Sequence, residues 1–323
     1  MNRARDIRHC LSVFLLLGPT LAISQAYPVK PMRMVILYAA GGAADAAGRI
    51  IAAKLADGLK QPVIVENRLG AGTTIGAASV ASSPPDGYSM LMAGLTGHIV
   101  SGILYKNLPY DAIKSFVATA QMSEAPFILV VGSSSKVRSP RELVELSRAN
   151  SKGLTYGSSG TGAGPHLATE ILIRATGANF IHVPYKGSAP AMQAVLAGEV
   201  DTAILDLSAM NQVQAGKLIA LALTTTQRSM LAPGIPTLAE TGISGVDVTS
   251  GQGLLTPAGT PREVVARINT VVNQALNTDE VRKAFMARGF TAAPATPEAF
   301  AAFLASEMQK YSELIKRLNV TIE

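Results

Sequence analysis

The 323-residue chain has no tryptophan and a single cysteine, Cys10. Cys10 falls in a segment that reads as a removable leader, so the remainder has no disulfide, thiol nucleophile or thiolate metal site. Charge is sparse, with Asp, Glu, Lys and Arg making up 15% of the residues, and there is no run of Lys and Arg. Nucleic acid is therefore not an expected partner. Beyond the leader no stretch reaches the roughly 18 uninterrupted apolar residues of a membrane span. His98, His166 and His182 lack metal-ligand spacing, and neither a metal nor a cofactor is expected.

What is present begins with that leader. Arg3, Arg5 and Arg8 form a basic region, residues 11–17 an apolar run, and Ser24-Gln-Ala26 a small-x-small cleavage site. A secretory signal of residues 1–26, cleaved after Ala26, is the expectation. Its loss removes three arginines and Asp6, leaving 25 basic and 21 acidic residues, a net charge near +4. Hydrophobic residues make up 48% of the chain, ample for two cored domains.

The most informative stretch is 154–175. A short strand, Leu154-Thr-Tyr156, leads into Gly157-Ser-Ser-Gly-Thr-Gly-Ala-Gly-Pro165 and then a helix from His166. Such a loop exposes backbone N–H groups at the positive end of a helix dipole, a natural seat for an anion. A second unit precedes it: Ile36-Leu-Tyr38, then Ala39-Ala-Gly-Gly-Ala-Ala-Asp45, then a helix carrying Ile50, Ile51, Leu55 and Leu59. From Tyr38 to Val65, in the next strand, is 27 residues, and from Tyr156 to Val183 is also 27. Two similar strand–loop–helix–strand units follow from this, unless both loops are ordinary turns that need Gly for φ > 0. Neither contains Arg or Lys, so an anion there would rest on backbone dipoles and hydroxyls.

Phe127–Val131 reads as a strand buried on both faces. Ser139-Pro-Arg-Glu142 and Thr260-Pro-Arg-Glu263 read as capping boxes, and Thr296-Pro-Glu298 as a looser one. The final helix aligns Phe300, Phe303, Leu304, Tyr311, Leu314, Ile315 and Leu318 on one face. Alternating strands and helices predict an α/β fold of two lobes, each a mostly parallel sheet flanked by helices. Chain crossings near Pro126 and Gly251 would make residues 27–125 with 251–323 one lobe and 126–250 the other. Two hinge strands with a cleft between lobes form the two-lobed, Venus-flytrap architecture.

Taken together, these residues resemble the extracytoplasmic solute-binding proteins of the tripartite tricarboxylate transporter family, the Bug proteins. The resemblance spans essentially all of the chain after the leader. It rests on Ala40–Asp45, Val65–Gly72, Pro85–Tyr88, Leu108–Asp111, Tyr156–Gly162 with His166, Val183–Gly187, Gly198–Asp201, Ala215–Leu218, Gly234–Thr237 and Leu254–Pro261. It implies a periplasmic, monomeric clamshell that delivers small organic acids to the membrane permease subunits of such a transporter. By resemblance, Gly41, Gly42, Ala43, Ala44 and Asp45 grip a ligand carboxylate from one lobe, and Ser158, Ser159, Gly160, Thr161 and Gly162 from the other. Thr96 and Asp206 are placed near the cleft on the same ground, while His166, at the start of the second helix, could donate to a ligand and Tyr185 could close over it.

The chain departs from the family pattern at Ala40, Ala44, Ser188, the segment 205–209, and Gln252, where an aromatic residue is common. These changes fall where the distal end of the ligand is expected. Several site residues also have plainer readings. Asp45 suits a first-turn carboxylate paired with Arg49, His166 a loop-holding histidine, and Tyr185 a core side chain at a strand end. A receptor of another transporter class is the alternative. A secreted hydrolase using Ser158 or Ser159 with His166 is another, although no Gly-x-Ser-x-Gly elbow is present.

Overall fold

The computed structural model describes residues 27–318. The expected leader lies outside the described residues, as does the side chain of Leu318. In chain order, β1 (Met32–Ile36), α1 (Ala43–Leu59), β2 (Val63–Asn67), α2 (Thr74–Ala81), β3 (Ser89–Gly94) and α3 (Leu95–Leu104) come first. Next are β4 (Phe116–Gly132), α4 (Pro140–Ala149), β5 (Leu154–Ser158), α5 (Gly164–Thr176), β6 (Phe180–Pro184) and α6 (Ser188–Ala197). Then come β7 (Thr202–Asp206), α7 (Met210–Gln214), β8 (Leu218–Leu223) and β9 (Thr249–Pro257). α8 (Arg262–Leu276), α9 (Asp279–Met286), β10 (Thr291–Ala292) and α10 (Pro297–Leu318) complete the order.

The two units legible in the sequence are both parallel βαβ units. β1 pairs with β2 in the register Met34–Val65, and β5 pairs with β6 in the register Tyr156–His182. β3 joins the first set in parallel and β7 the second. The long strands meet these sets antiparallel: β9 against β3, and β4 against β7 and β8. Each half is thus a parallel trio edged by antiparallel strands. The reason is connectivity, since β4 and β9 run between the halves in opposite directions.

β4 is the spine. Its 116–126 stretch pairs with β9, ending at Pro126–Thr249, and Phe127 then takes up Asp206 of β7. Ile128 to Val131 are all buried, as a strand covered on both faces should be. In the first half α1 and α8 place Ile51, Leu55, Ile268, Val272 and Leu276 over Met34 and Met92. The opposite face is covered by α3 and by α10, whose Phe300, Leu304 and Tyr311 are buried. In the second half α6 sets Ala191, Ala194 and Val195 on Ile128, Val130 and Leu205. α5 sets Leu167 and Ile171 on Leu129 and Ile204. Each such fully buried aliphatic or aromatic side chain contributes roughly 2 kcal/mol from water exclusion.

Two of the three expected caps form. The Ser139 hydroxyl accepts from the Glu142 N–H, and Thr296 from Ala299. Thr260 does not cap: its hydroxyl donates to the Pro257 carbonyl and α8 begins beyond Pro261. The halves touch where the turn after α9 meets the turn after β7. Gly289, at φ +78°, lies so close that a Cβ there would sit 2.5 Å from the Leu207 Cβ.

Candidate functional site

A cavity of about 580 Å³ lies between the two halves, floored by β4 and β9. Four helices open onto it by their N-terminal ends. Gly42–Ala44 bring α1, Thr96 and Gly97 bring α3, Gly164 and Pro165 bring α5, and Gly187–Ala189 bring α6. The N-caps of these helices are Gly42, Gly94, Ala163 and Gly187, and none makes a side-chain capping bond. A helix start leaves its first N–H groups without intrahelical partners, and their partial positive charge is strongest there. Four such ends converging on one cavity add positive potential to it from the main chain alone.

The first loop is shaped by Asp45. Its carboxylate accepts from the Gly41 N–H at 3.0 Å, from Arg49 Nε at 2.9 Å and from Asn67 Nδ2 at 2.8 Å. Asn67 Nδ2 also donates to the Tyr38 carbonyl. Burial pushes the Asp45 carboxyl up, but the bonds from Arg49, Asn67 and Gly41 outweigh it and hold it below its ordinary range. Asp45 is only 2% exposed and does not line the cavity. It holds Gly41 at φ +85°, a conformation glycine adopts without strain, so that Gly42, Ala43 and Ala44 face the cavity. We expect Asp45→Ala to lower stability by about 1 kcal/mol, because the half-buried Asn67 amide and the Gly41 N–H lose their buried acceptor while the exposed Arg49 turns to water. A urea midpoint unchanged from the parent would show that the carboxylate does not organise the loop.

The second loop is held by histidines. Ser158 is fully buried, its hydroxyl 2.6 Å from His182 Nε2 and accepting from the Gly160 N–H. His166 Nδ1 accepts from the Gly162 N–H at 3.2 Å, and the His166 and His182 rings stack 4.3 Å apart. Burial pushes both imidazoles down to about 4, and for His182 the neighbouring His166 adds to this. Both are therefore neutral at pH 7, as a hydrogen-bond acceptor at Nδ1 of His166 requires.

The residues singled out in the sequence thus divide. Gly41, Gly42, Ala43, Ala44, Thr96, Ser159 and Asp206 line the cavity. Asp45, Ser158, Gly160, Thr161, Gly162, His166 and Tyr185 do not; they stand behind it. The Thr161 carbonyl lies against Gly72 of the opposite half, and the Tyr185 ring packs beside Gly157. Thr96 donates its hydroxyl to the Thr249 carbonyl at 2.6 Å, tying α3 to β9. Asp206 accepts at Oδ1 from the amide and hydroxyl of Ser208. A Ser–His nucleophile pair at the cavity is not assembled: Ser159 faces it without His166, and Ser158 is paired with His182 in the interior.

Sequence reasoning missed two cations on the cavity wall, Lys186 and Arg288. Neither belongs to a glycine loop. Lys186 lies in the turn between β6 and α6, at a strand carboxyl end where ligands are expected. Arg288 lies in the turn after α9, outside every motif quoted from the sequence, and only folding brings it to the wall. One of its Nη atoms donates to the Ala284 carbonyl at 2.7 Å.

A two-part α/β frame crossed by long strands, with helix starts converging on the cleft, defines a solute-binding protein of the two-lobed periplasmic type. The chain belongs to the tripartite tricarboxylate transporter family receptors, whose family model matches residues 47–320. It is a binding receptor and not an enzyme. Its structure is similar to that of the periplasmic binding protein BugD, with a TM-score of 0.85 at 32% identity, covering 92% of this chain and 100% of that one. It is also similar to MatC from Rhodopseudomonas palustris with bound malate, with a TM-score of 0.85 at 29% identity, covering 90% and 100%. Rpa4515 of R. palustris with adipate gives a TM-score of 0.86 at 29% identity, covering 91% and 99%. Among the described residues no helix is long and apolar enough to cross a membrane.

Proposed function

We propose that the chain captures a small mono- or dicarboxylate in the periplasm and delivers it to the membrane permease subunits of a tripartite tricarboxylate transporter. In this reading residues 27–125 with 251–323 form one lobe, 126–250 the other, and a monomer exported by cleavage after Ala26 does the binding. The observation that carries the proposal is the convergence of four uncapped helix starts on one cavity. One carboxylate would seat between the starts of α1 and α5, on the N–H groups of Gly42–Ala44 and of Ser159 and Gly164. Bridging waters would complete the grip at little cost. Lys186 and Arg288 would favour a second negative group farther along. The related structures that hold malate and adipate support an organic acid as the solute class.

A thermal-shift screen across organic acids, amino acids, sugars and inorganic anions tests the proposal. Acid present at a hundred times its Kd should stabilise the protein by about 2.7 kcal/mol, a melting shift of several degrees. No response to any carboxylate, with sugars or phosphate active instead, would remove the proposed solute class.

A further inference from the structure

Gln252 sits in the cavity floor on β9, only 3% exposed, and its Oε1 has no hydrogen-bond partner. A buried carbonyl oxygen left unpaired costs roughly 1–3 kcal/mol, so its retention at a ligand cavity calls for a donor that arrives with the ligand. The neighbouring strand does not supply one. Ser123 of β4 is opposite Gln252 in register, and its hydroxyl is likewise buried without a partner. The wall carries donors on Lys186 and Arg288, but none of them is bonded to Gln252 Oε1, and Asp206, on the same cavity, is a second acceptor, its Oδ1 held by Ser208. With Gln252 Oε1 unpaired beside the chamber and Asp206 on its wall, an unsubstituted acid, whose chain beyond the carboxylate offers only C–H, leaves the buried oxygen without a donor.

Resting on the carboxylate reading above, we infer that Gln252 is a specificity residue that selects organic acids carrying a hydrogen-bond donor, a hydroxyl or an ammonium, on the carbon chain. The carboxylate sits at the helix starts, and the donor reaches down to Gln252 Oε1 on the floor. A site built to pair a donor rejects the analogue that lacks it, because the buried acceptor then stays desolvated and unpaired. Asp206 adds the same preference and strengthens it for ammonium over hydroxyl.

Calorimetric titration of succinate, malate and aspartate tests the inference, because these acids share a skeleton and differ only in the donor at one carbon. Malate or aspartate should bind at least about tenfold more tightly than succinate, and Gln252→Met should compress that ratio to within about threefold. Aspartate ahead of malate assigns an ammonium, the reverse a hydroxyl. Equal affinity of all three for the parent protein overturns the inference while leaving the carboxylate reading intact. Failure of all three, together with every other acid of the screen, overturns the reading itself. A ratio undiminished in a Gln252→Met protein that melts as the parent does would show that the selection arises elsewhere. Should that variant not fold, the comparison in the parent protein decides.

Discussion

Ala44→Asp lowers the affinity for the best acid of the screen at least about a hundredfold and leaves the protein as stable as before, or slightly more so. Ala44 is the second residue of α1, faces the cavity and is half-buried. An aspartate there lies within the first turn, where a carboxylate offsets the helix dipole and adds roughly 0.3–1 kcal/mol to stability. The same negative charge occupies the seat proposed for the ligand. Two like charges about 5 Å apart repel by roughly 3 kcal/mol at an effective dielectric constant near 20, equivalent to about two hundredfold in affinity. Ala44→Asn has nearly the same shape without the charge, and a loss of no more than about tenfold is expected. Calorimetry of the two variants, with melting curves, separates charge from bulk. Equal losses for Asp and Asn would point to crowding, and no loss for Asp would move the anion away from α1.

Stability falls steeply between pH 6.5 and pH 4, above the range in which carboxylates titrate. His98 is completely buried, with Nε2 2.8 Å from the Ala112 carbonyl and Nδ1 without a partner. Burial pushes it down to about 4, against a weaker upward pull from the Ala112 bond. His166 and His182 are pushed down to about 4 as well. All three are neutral in the folded protein at pH values where the unfolded chain, titrating near 6.5, takes up protons. The unfolded state therefore binds more protons, so stability rises with pH across this window and is lost as pH falls from 6.5 towards 4. For His98 and His166 the loss at pH 5 is about 2 kcal/mol each; His182, stacked on His166, acts in the same direction. Asp45, Glu66 and Asp111, held below the ordinary carboxylate range, add their losses only at still lower pH. Urea titrations at pH 7 and pH 5 measure the difference, which should be at least about 4 kcal/mol. A midpoint constant over that interval would show that the histidines are not neutral and caged in the folded state.

The sequence carried the βαβ units well, because each combines a short apolar strand, a glycine loop and an amphipathic helix whose signals agree. The loops that hold Gly41–Ala44 and Ser159 are legible on that basis, their place at a ligand comes from the family resemblance, and the geometry puts these residues on the cavity wall. What stayed hidden has physical causes. α3 is buried almost throughout its first two turns and contains Gly97 and Gly102, so no polar face marks it as a helix. The first half of β4, with Thr119, Gln121 and Ser123 turned inward, lacks the apolar run that made its second half obvious. In the sequence His182 is an isolated strand residue. Its role under the second loop comes from the parallel register that sets it beside Tyr156 and from its stack on His166. Lys186 and Arg288 show that loops free of basic residues do not make a cavity free of them. Gln252 was visible as a departure from the family pattern, but only its burial and unpaired oxygen give that departure a meaning.

The proposed grip on the acid is by main-chain amides at opposed helix starts, with the cations of the wall in a supporting place. A crystal structure with the best-binding acid tests it most directly. Carboxylate oxygens are expected about 3 Å from the amides of Gly42–Ala44 and of Ser159 and Gly164, directly or through a single water. A carboxylate clasped instead by the Arg288 guanidinium or the Lys186 ammonium, with both turns unoccupied, would contradict it.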